Sequence, residues 1–348
     1  MLLNFTNSKL SQLIVHFVGN KNSESGYDLS HVTVKKNNKE TEALLVNYFL
    51  SPFKNAETFK FWHESNIRLN STFSFVSDIF KDNLDFIENS QSIAKHLYEC
   101  CTHPNIKQGD LFIAELSDCI YGNEVVNAIA IFKSENKDEF LQCFRSGNHY
   151  DLQRLSGVNL NKVDKAAVVF NTSKNDGFRV CIIDSSNKGY ETAYWKDNFL
   201  KIVNCADEYF YTNQFLLITK NFVTKQLEED FEVCKVDKID LLNRSVEYFK
   251  SHKSLDKIEF EKEVFQDASI IEAFRNYDDN YRKVNKIDIT ENFNISTLAV
   301  KKQNRVFKNV LKLDENFHIY IHGNKDLIER GIENDGRRFY KIYFENEC

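Results

Sequence analysis

Two successive pairs of apolar, β-branched runs in the middle of the chain limit its fold more than any other feature. Leu111 to Leu116 and Val125 to Lys133 flank Tyr121-Gly122-Asn123, while Val163 to Phe170 and Phe178 to Ile183 flank Asn175-Asp176-Gly177. Such runs around residues that tolerate positive φ predict β-hairpins, and adjacent hairpins predict an antiparallel sheet. On the N-terminal side, Leu10 to Val18 alternates loosely and stops at Gly19-Asn20, predicting a strand and turn, with a second short strand at His31 to Lys35.

Helical spacing surrounds this sheet. Leu44, Leu45, Tyr48 and Phe49 predict a short helix in Thr41 to Leu50, ended by Pro52, which disfavours helical geometry at Ser51. Val76, Ile79, Phe80, Phe86, Ile87, Ile93, Ala94 and Leu97 recur at the helical period and predict a helix from Ser71 to about Cys101, broken near Asn89-Ser90. Beyond Trp195 the period is helical again, with Tyr211, Phe215, Ile218 and Phe222 on one face. Further helices are expected in Val236 to His252 and Ile258 to about Asn280. Strands return at Leu298 to Val300, Val310 to Leu313, Phe317 to Ile321 and Phe339 to Phe344. The expected class is α+β: residues 1–225 hold a mainly antiparallel sheet with packed helices, and residues 226–348 a helical and β-stranded C-terminal part.

With 348 residues, 42% of them hydrophobic, the chain needs no metal or disulfide to build a core. Its eight cysteines are irregularly spaced, several inside apolar runs, which suits a reducing cytosol. The N-terminus lacks the basic and apolar segments of a signal peptide, and no window approaches the roughly 18 uncharged apolar residues of a membrane span. A cytoplasmic protein is expected.

The net charge of -6 gives no global attraction to nucleic acid, so any such site must be a local patch. Charge is indeed uneven. Residues 226–280 carry eight Lys or Arg against fifteen Asp or Glu, whereas residues 281–312 carry eight against two. The basic strip comprises Arg282, Lys283, Lys286, Lys301, Lys302, Arg305, Lys308 and Lys312. Cations within a Debye length of one another create a local positive potential, and Phe307 among them has the chemistry to stack on an unpaired base. The plain alternative is a solvated surface whose lysines pair with the acidic helices, and a core Phe307.

Other constellations are weaker. His96, Cys100, Cys101 and His103 suggest a metal cluster, but no CxxC pair occurs, and a helix end with a buried thiol explains them. His318 and His322 lie on an alternating segment, where about 3.3 Å per residue sets them roughly 13 Å apart, so they are expected to be exposed sheet residues. Asp110, Glu115, Asp118, Lys133 and Glu135 are the best set for metal-assisted phosphodiester cleavage, though charges on a sheet's solvent side account for them equally. Walker, GxGxxG, GxSxG and HExxH signatures are absent, and neither cofactor nor metal is implied.

Several ordered segments carry a resemblance: Val15-His16-Phe17-Val18-Gly19-Asn20-Lys21, Leu50-Ser51-Pro52-Phe53, His103-Pro104-Asn105-Ile106-Lys107 with Gly109-Asp110-Leu111, and Ile131-Phe132-Lys133-Ser134-Glu135-Asn136-Lys137. Val163-Asp164-Lys165, Tyr194-Trp195-Lys196-Asp197-Asn198-Phe199-Leu200 and Leu311-Lys312-Leu313-Asp314-Glu315-Asn316-Phe317-His318-Ile319 follow. In this order they resemble the bacterial nucleoid-associated protein family typified by NdpA and YejK, in its Bacteroidetes-like form, over nearly the whole chain. The resemblance implies a place at the nucleoid, DNA binding and chromosome organisation, with no catalytic residues to carry over.

The expectation is therefore a non-enzymatic architectural or regulatory protein, a homo-oligomer. It would contact the backbone of double-stranded DNA through Lys301, Lys302, Arg305, Lys308 and Lys312 without strong sequence preference. Two other readings stay open: an interaction module whose acidic helices dock a basic protein partner, and a metal-dependent nuclease.

Overall fold

The computed structural model describes residues 3–35, 38–53, 56–81, 85–185, 194–285, 287–304, 310–313, 315–321 and 327–346. The chain divides into two compact units, Met1–Cys205 and Ala206–Cys348. The division precedes residue 225 because the helix Glu208–Asn221 gives Phe215, Leu216 and Ile218 to the core of the second unit.

In chain order the first unit contains β1 (Leu3–Asn4), β2 (Lys9–Val18), β3 (Tyr27–Asp28), α1 (Lys39–Leu50), β4 (Thr58–Phe61), α2 (Ser71–Ile79) and α3 (Phe86–Cys100). There follow β5 (Gly109–Tyr121), β6 (Glu124–Ser134), β7 (Lys137–Ser146), β8 (His149–Val158), β9 (Lys165–Phe170), β10 (Arg179–Asp184) and β11 (Ile202–Asn204). Among the described residues nine strands form one antiparallel sheet in the order β11-β4-β10-β9-β6-β5-β2-β3, with β1 on β5. Both expected hairpins are present: β5 with β6, and β9 with β10.

Their runs are largely apolar at successive positions because both faces of the sheet are covered. Ile113, Ile129, Ile131, Ala167 and Val169 pack with Ile93, Leu97, Trp195 and Phe199 on one side. The alternate residues Ala114, Ala128, Ala130, Phe132, Ala166 and Val168 pack with Tyr48, Phe49 and Phe53 on the other. Helices thus cover both faces of the sheet, whose antiparallel pairing keeps the fold in the α+β class. Ring contacts reinforce the second layer, with Phe49 edge-on to Phe132 at 5.0 Å between centroids.

Two expectations in this unit are corrected, and one element is new. His31 to Lys35 forms no strand; the sheet's short outer strand is β3, placed where Gly19 donates its N–H to Gly26 O at 2.8 Å. A Cβ at Gly19 would lie 2.4 Å from that oxygen, so only glycine fits there. The helical stretch from Ser71 breaks between α2 and α3, not at Asn89-Ser90. Ser90 is buried inside α3, its hydroxyl donating to Ile87 O at 2.6 Å and meeting His16 Nε2 at 3.1 Å. Lastly, β7 and β8 form a long ribbon that pairs with no other strand among the described residues and that periodicity did not suggest.

The second unit contains α4 (Glu208–Asn221), a π-helical turn Phe222–Gln226, α5 (Leu227–Asp230), α6 (Lys235–Ser251), β12 (Ser254–Asp256), α7 (Lys257–Val264) and α8 (Ala268–Asn285). Then come β13 (Asn292–Asn294), α9 (Thr297–Asn304), β14 (Val310–Leu313), β15 (Phe317–Tyr320), β16 (Ile328–Ile332) and β17 (Arg338–Ile342). Phe215, Phe222, Phe249, Phe260 and Phe274 meet in its core. The helix expected over Ile258 to Asn280 is two, since Gln266 adopts φ +62° and Asp267 restarts the chain by accepting from Ser269 N and Ile270 N. The strand expected over Phe339 to Phe344 is Arg338–Ile342, paired with Ile328–Ile332 across Asn334-Asp335-Gly336. No helix among the described residues is long and apolar enough to cross a membrane.

Candidate nucleic-acid interface

Leu298 to Val300, expected as a strand, lies instead in α9. Ser296 begins the turn, its carbonyl accepting from Val300 N at 3.1 Å. Ala299, Val300 and Gln303 then face inward at helical spacing, and Gln303 is tied to Asn213 Oδ1 at 2.5 Å. That registry turns Lys301 and Lys302 outward, in the last turn of the helix, where the carbonyl end favours cations. Lys302 Nζ lies 5.9 Å from the centroid of Tyr209. Lys312 stands on the outer face of β14, opposite His318 in the ladder, while Leu311 points into a small core with Val236 and Ile239 of α6. Both α9 and β14 pack on α6. Lys301 and Lys312 have no carboxylate within ion-pair distance among the described residues. Arg305, Lys308, Phe307, Lys286 and His322 lie outside the described residues.

One cation of the strip is withdrawn. Arg282 Nε sits 2.6 Å from Asp278 Oδ1 and its Nη1 donates to Ile289 O at 2.6 Å. The plain alternative of pairing with the acidic helices is therefore realised at this position. Asp278, fully buried, also receives Lys257 at 2.8 Å. Glu261, buried as well, accepts two bonds from Arg275 at 2.9 and 2.6 Å. Part of the acidic block is consumed inside its own unit.

The five residues weighed for phosphodiester cleavage do not converge. Asp110 pairs with Lys137 at 2.8 Å, Asp118 with Lys9 at 2.9 Å, and Glu115 accepts from Gln12 at 3.2 Å, its carboxyl raised by burial. Only Lys133 and Glu135 meet, at 3.2 Å and without solvent exposure. Of the His96 set, His96 and Cys100 do meet, Cys100 Sγ lying 4.0 Å from His96 Nε2, but that nitrogen also faces Phe199 O at 3.2 Å, and burial pushes the Cys100 thiol up to about 11. A protonated thiol is a poor metal ligand. Among the described residues His252, Glu259 and Glu263 bring possible ligand atoms within 4.8 Å of one another, a trio the sequence spacing did not single out. His252 stacks on Tyr248 at 4.0 Å, and Tyr248 Oη donates to Glu259 at 3.0 Å, so existing contacts account for the cluster.

The family model of nucleoid-associated protein YejK matches residues 14–337. The chain belongs to that family. A comparison with curated proteins finds no match. Membership gives the protein a nucleoid-associated role and places it in the cytoplasm, at the bacterial nucleoid.

Segments that carry the family resemblance, far apart in sequence, meet in space. Asn20 is buried and donates to His103 O at 2.8 Å and Ile106 O at 2.6 Å. At one end of the sheet Lys133 and Lys165 stand opposite each other on β6 and β9. Tyr194 lies between them, its centroid 5.7 Å from one ammonium and 5.2 Å from the other. Lys133 donates to Lys107 O at 2.5 Å and Tyr194 Oη at 3.4 Å besides Glu135, and Lys165 pairs with Asp184 at 2.7 Å. Asp164 accepts from the backbone N–H groups of Glu135 and Asn136 at 2.8 and 2.9 Å. Burial and the Glu135 charge push the Tyr194 phenol far up, so it stays neutral. With its ammonium so engaged and shielded from solvent, Lys133 ties the root of the β7–β8 ribbon to the end of the sheet.

Proposed function

We propose that the protein is a non-enzymatic, architectural or regulatory component of the nucleoid. In this reading it holds the backbone of double-stranded DNA through Lys301, Lys302, Arg305, Lys308 and Lys312. The observation that carries the reading is the helical registry of α9, which sends Lys301 and Lys302 outward while Lys312 occupies the outer face of the neighbouring β14. Family membership supplies the setting. At physiological salt the Debye length is about 8 Å, so a phosphate at this face feels the local cations more than the net charge of -6.

Contacts of this kind position DNA without reading it, because phosphates are alike in every sequence. The dispersal of Asp110, Glu115 and Asp118 onto separate partners supports a non-enzymatic role over a metal-dependent nuclease. The burial of Glu261 and Asp278 weakens docking of a basic protein by the acidic helices. Fluorescence anisotropy with two unrelated duplexes tests the reading. Substituting all five cations by Ala is expected to weaken both complexes alike, by at least about tenfold. Unchanged affinity for either duplex would remove this face from the reading.

A further inference from the structure

The ribbon inserted between β6 and β9 has a ladder of ten pairs without a bulge, from Lys137 opposite Val158 to Ser146 opposite His149. At about 3.3 Å per residue it is roughly 33 Å long. Its alternation leaves apolar groups open on both faces. Phe140 (52% exposed) and Phe144 (41%) lie on one, Leu141 (65%), Tyr150 (74%) and Leu152 (65%) on the other. A lone two-stranded ribbon is marginal in water, and neither edge carries the proline or bulge that discourages pairing. The root, in contrast, is fixed by the buried Lys133, Glu135 and Asp164 bonds and by Lys107 Nζ to Asn136 Oδ1 at 2.7 Å. A stiff root and two uncovered apolar faces describe an element built to be covered by something else.

We propose that this ribbon is a dimerisation arm, enclosed by a second copy of this chain. Charge selects that occupant. Residues 137–158 carry three Lys or Arg (Lys137, Arg145, Arg154) and three Asp or Glu (Asp138, Glu139, Asp151). DNA demands an excess of cations, whereas contact between identical copies demands matched signs. Area selects the mode. The five exposed side chains leave on the order of 500 Å² open over the two faces together, as much apolar surface as the largest patch of an ordinary monomer, here concentrated on one slender element. With the ribbon's edges and polar neighbours this approaches the roughly 800 Å² per partner of a stable interface. One face alone gives about half of that, so the arm is enclosed on both sides and the exchange is reciprocal.

Sedimentation velocity of the full chain, over roughly two decades of concentration around 10 µM, tests the proposal. The wild type is expected to sediment as a dimer. Leu141→Asp/Leu152→Asp and Phe140→Asp/Phe144→Asp, one pair for each face, should each weaken association by at least about tenfold with the far-UV spectrum retained. Cys143, exposed on the Leu141 face, gives a second readout that needs no variant: its alkylation should slow as concentration rises. A monomeric wild type, a dimer that survives either pair, or alkylation independent of concentration would overturn the arm. Loss of DNA binding in the variants with self-association intact would overturn it in favour of a nucleic-acid ribbon.

Discussion

Lys133 shows how far a residue's neighbours decide its meaning. In sequence it sits near several carboxylates and suits either a phosphodiester site or a solvent face. In the fold its side chain is fully buried, because β6 is covered on both sides, and it binds Lys107 O, Glu135 and Tyr194. Removing one partner of a buried ion pair strands the other, so Lys133→Met should cost about 3–5 kcal/mol in urea unfolding. Adding Glu135→Gln should restore much of that; a double variant as unstable as the single would deny the pairing. His16 is a second case. Burial first, then the nearby His31, lowers its imidazole to about 4. The geometry agrees, since Nδ1 accepts from Ser30 N at 3.1 Å and has no room for a proton. The unfolded imidazole, near 6.5, takes up the proton first as pH falls, so its stabilisation is complete above 6.5 and is lost toward about 4. Between pH 7 and 5 this amounts to about 2 kcal/mol. Chemical denaturation at both pH values checks it, and His16→Gln should lose that dependence; an equally steep variant would point to other groups.

Elements were legible where one periodicity dominated. The two central hairpins follow from apolar runs and turn residues, and Gly177, at φ +94° with Phe61 O in the way of any Cβ, shows why the second turn needs glycine. Leu298 to Val300 was misleading because three apolar residues fit a strand as well as a helix, and the start signal Ser296-Thr297 just before them outweighs the run. The β7–β8 ribbon was illegible because apolar and charged groups share both faces, which erases alternation, although Gly147 at φ +60° marks its turn. Long-range clasps leave no local trace at all. Buried Asn70 caps α2 by accepting from Phe73 N at 3.0 Å, and its amide donates to Leu200 O at 2.9 Å and Lys201 O at 3.1 Å. Asn70→Ala should therefore cost about 2–4 kcal/mol, a lost cap plus buried carbonyls left unpaired. Asn70→Asp keeps the cap and loses the donors, so it should stay destabilised in thermal melts. Full recovery with Asp would reduce Asn70 to a simple cap.

At the scale of the whole molecule, the account rests on separating net charge from local charge. An acidic protein of the nucleoid-associated family gains affinity for a polyanion only where cations escape neutralisation. Charge counting in the sequence proposes a strip but does not sort it: Arg282 is taken inward by Asp278, while Lys301 on α9 and Lys312 on β14 are exposed. That sorting depends on helical registry and on a buried carboxylate, neither of which charge counting detects. The salt dependence of duplex binding by the purified full chain is the most direct test. Each phosphate neutralised contributes about -0.9 to the slope of log K against log salt, so contacts by three to five cations predict a wild-type slope of about -3 to -4.5. The variant with Ala at positions 301, 302, 305, 308 and 312 should fall close to zero. A wild-type slope near zero, or a variant that keeps the full slope, would contradict the account.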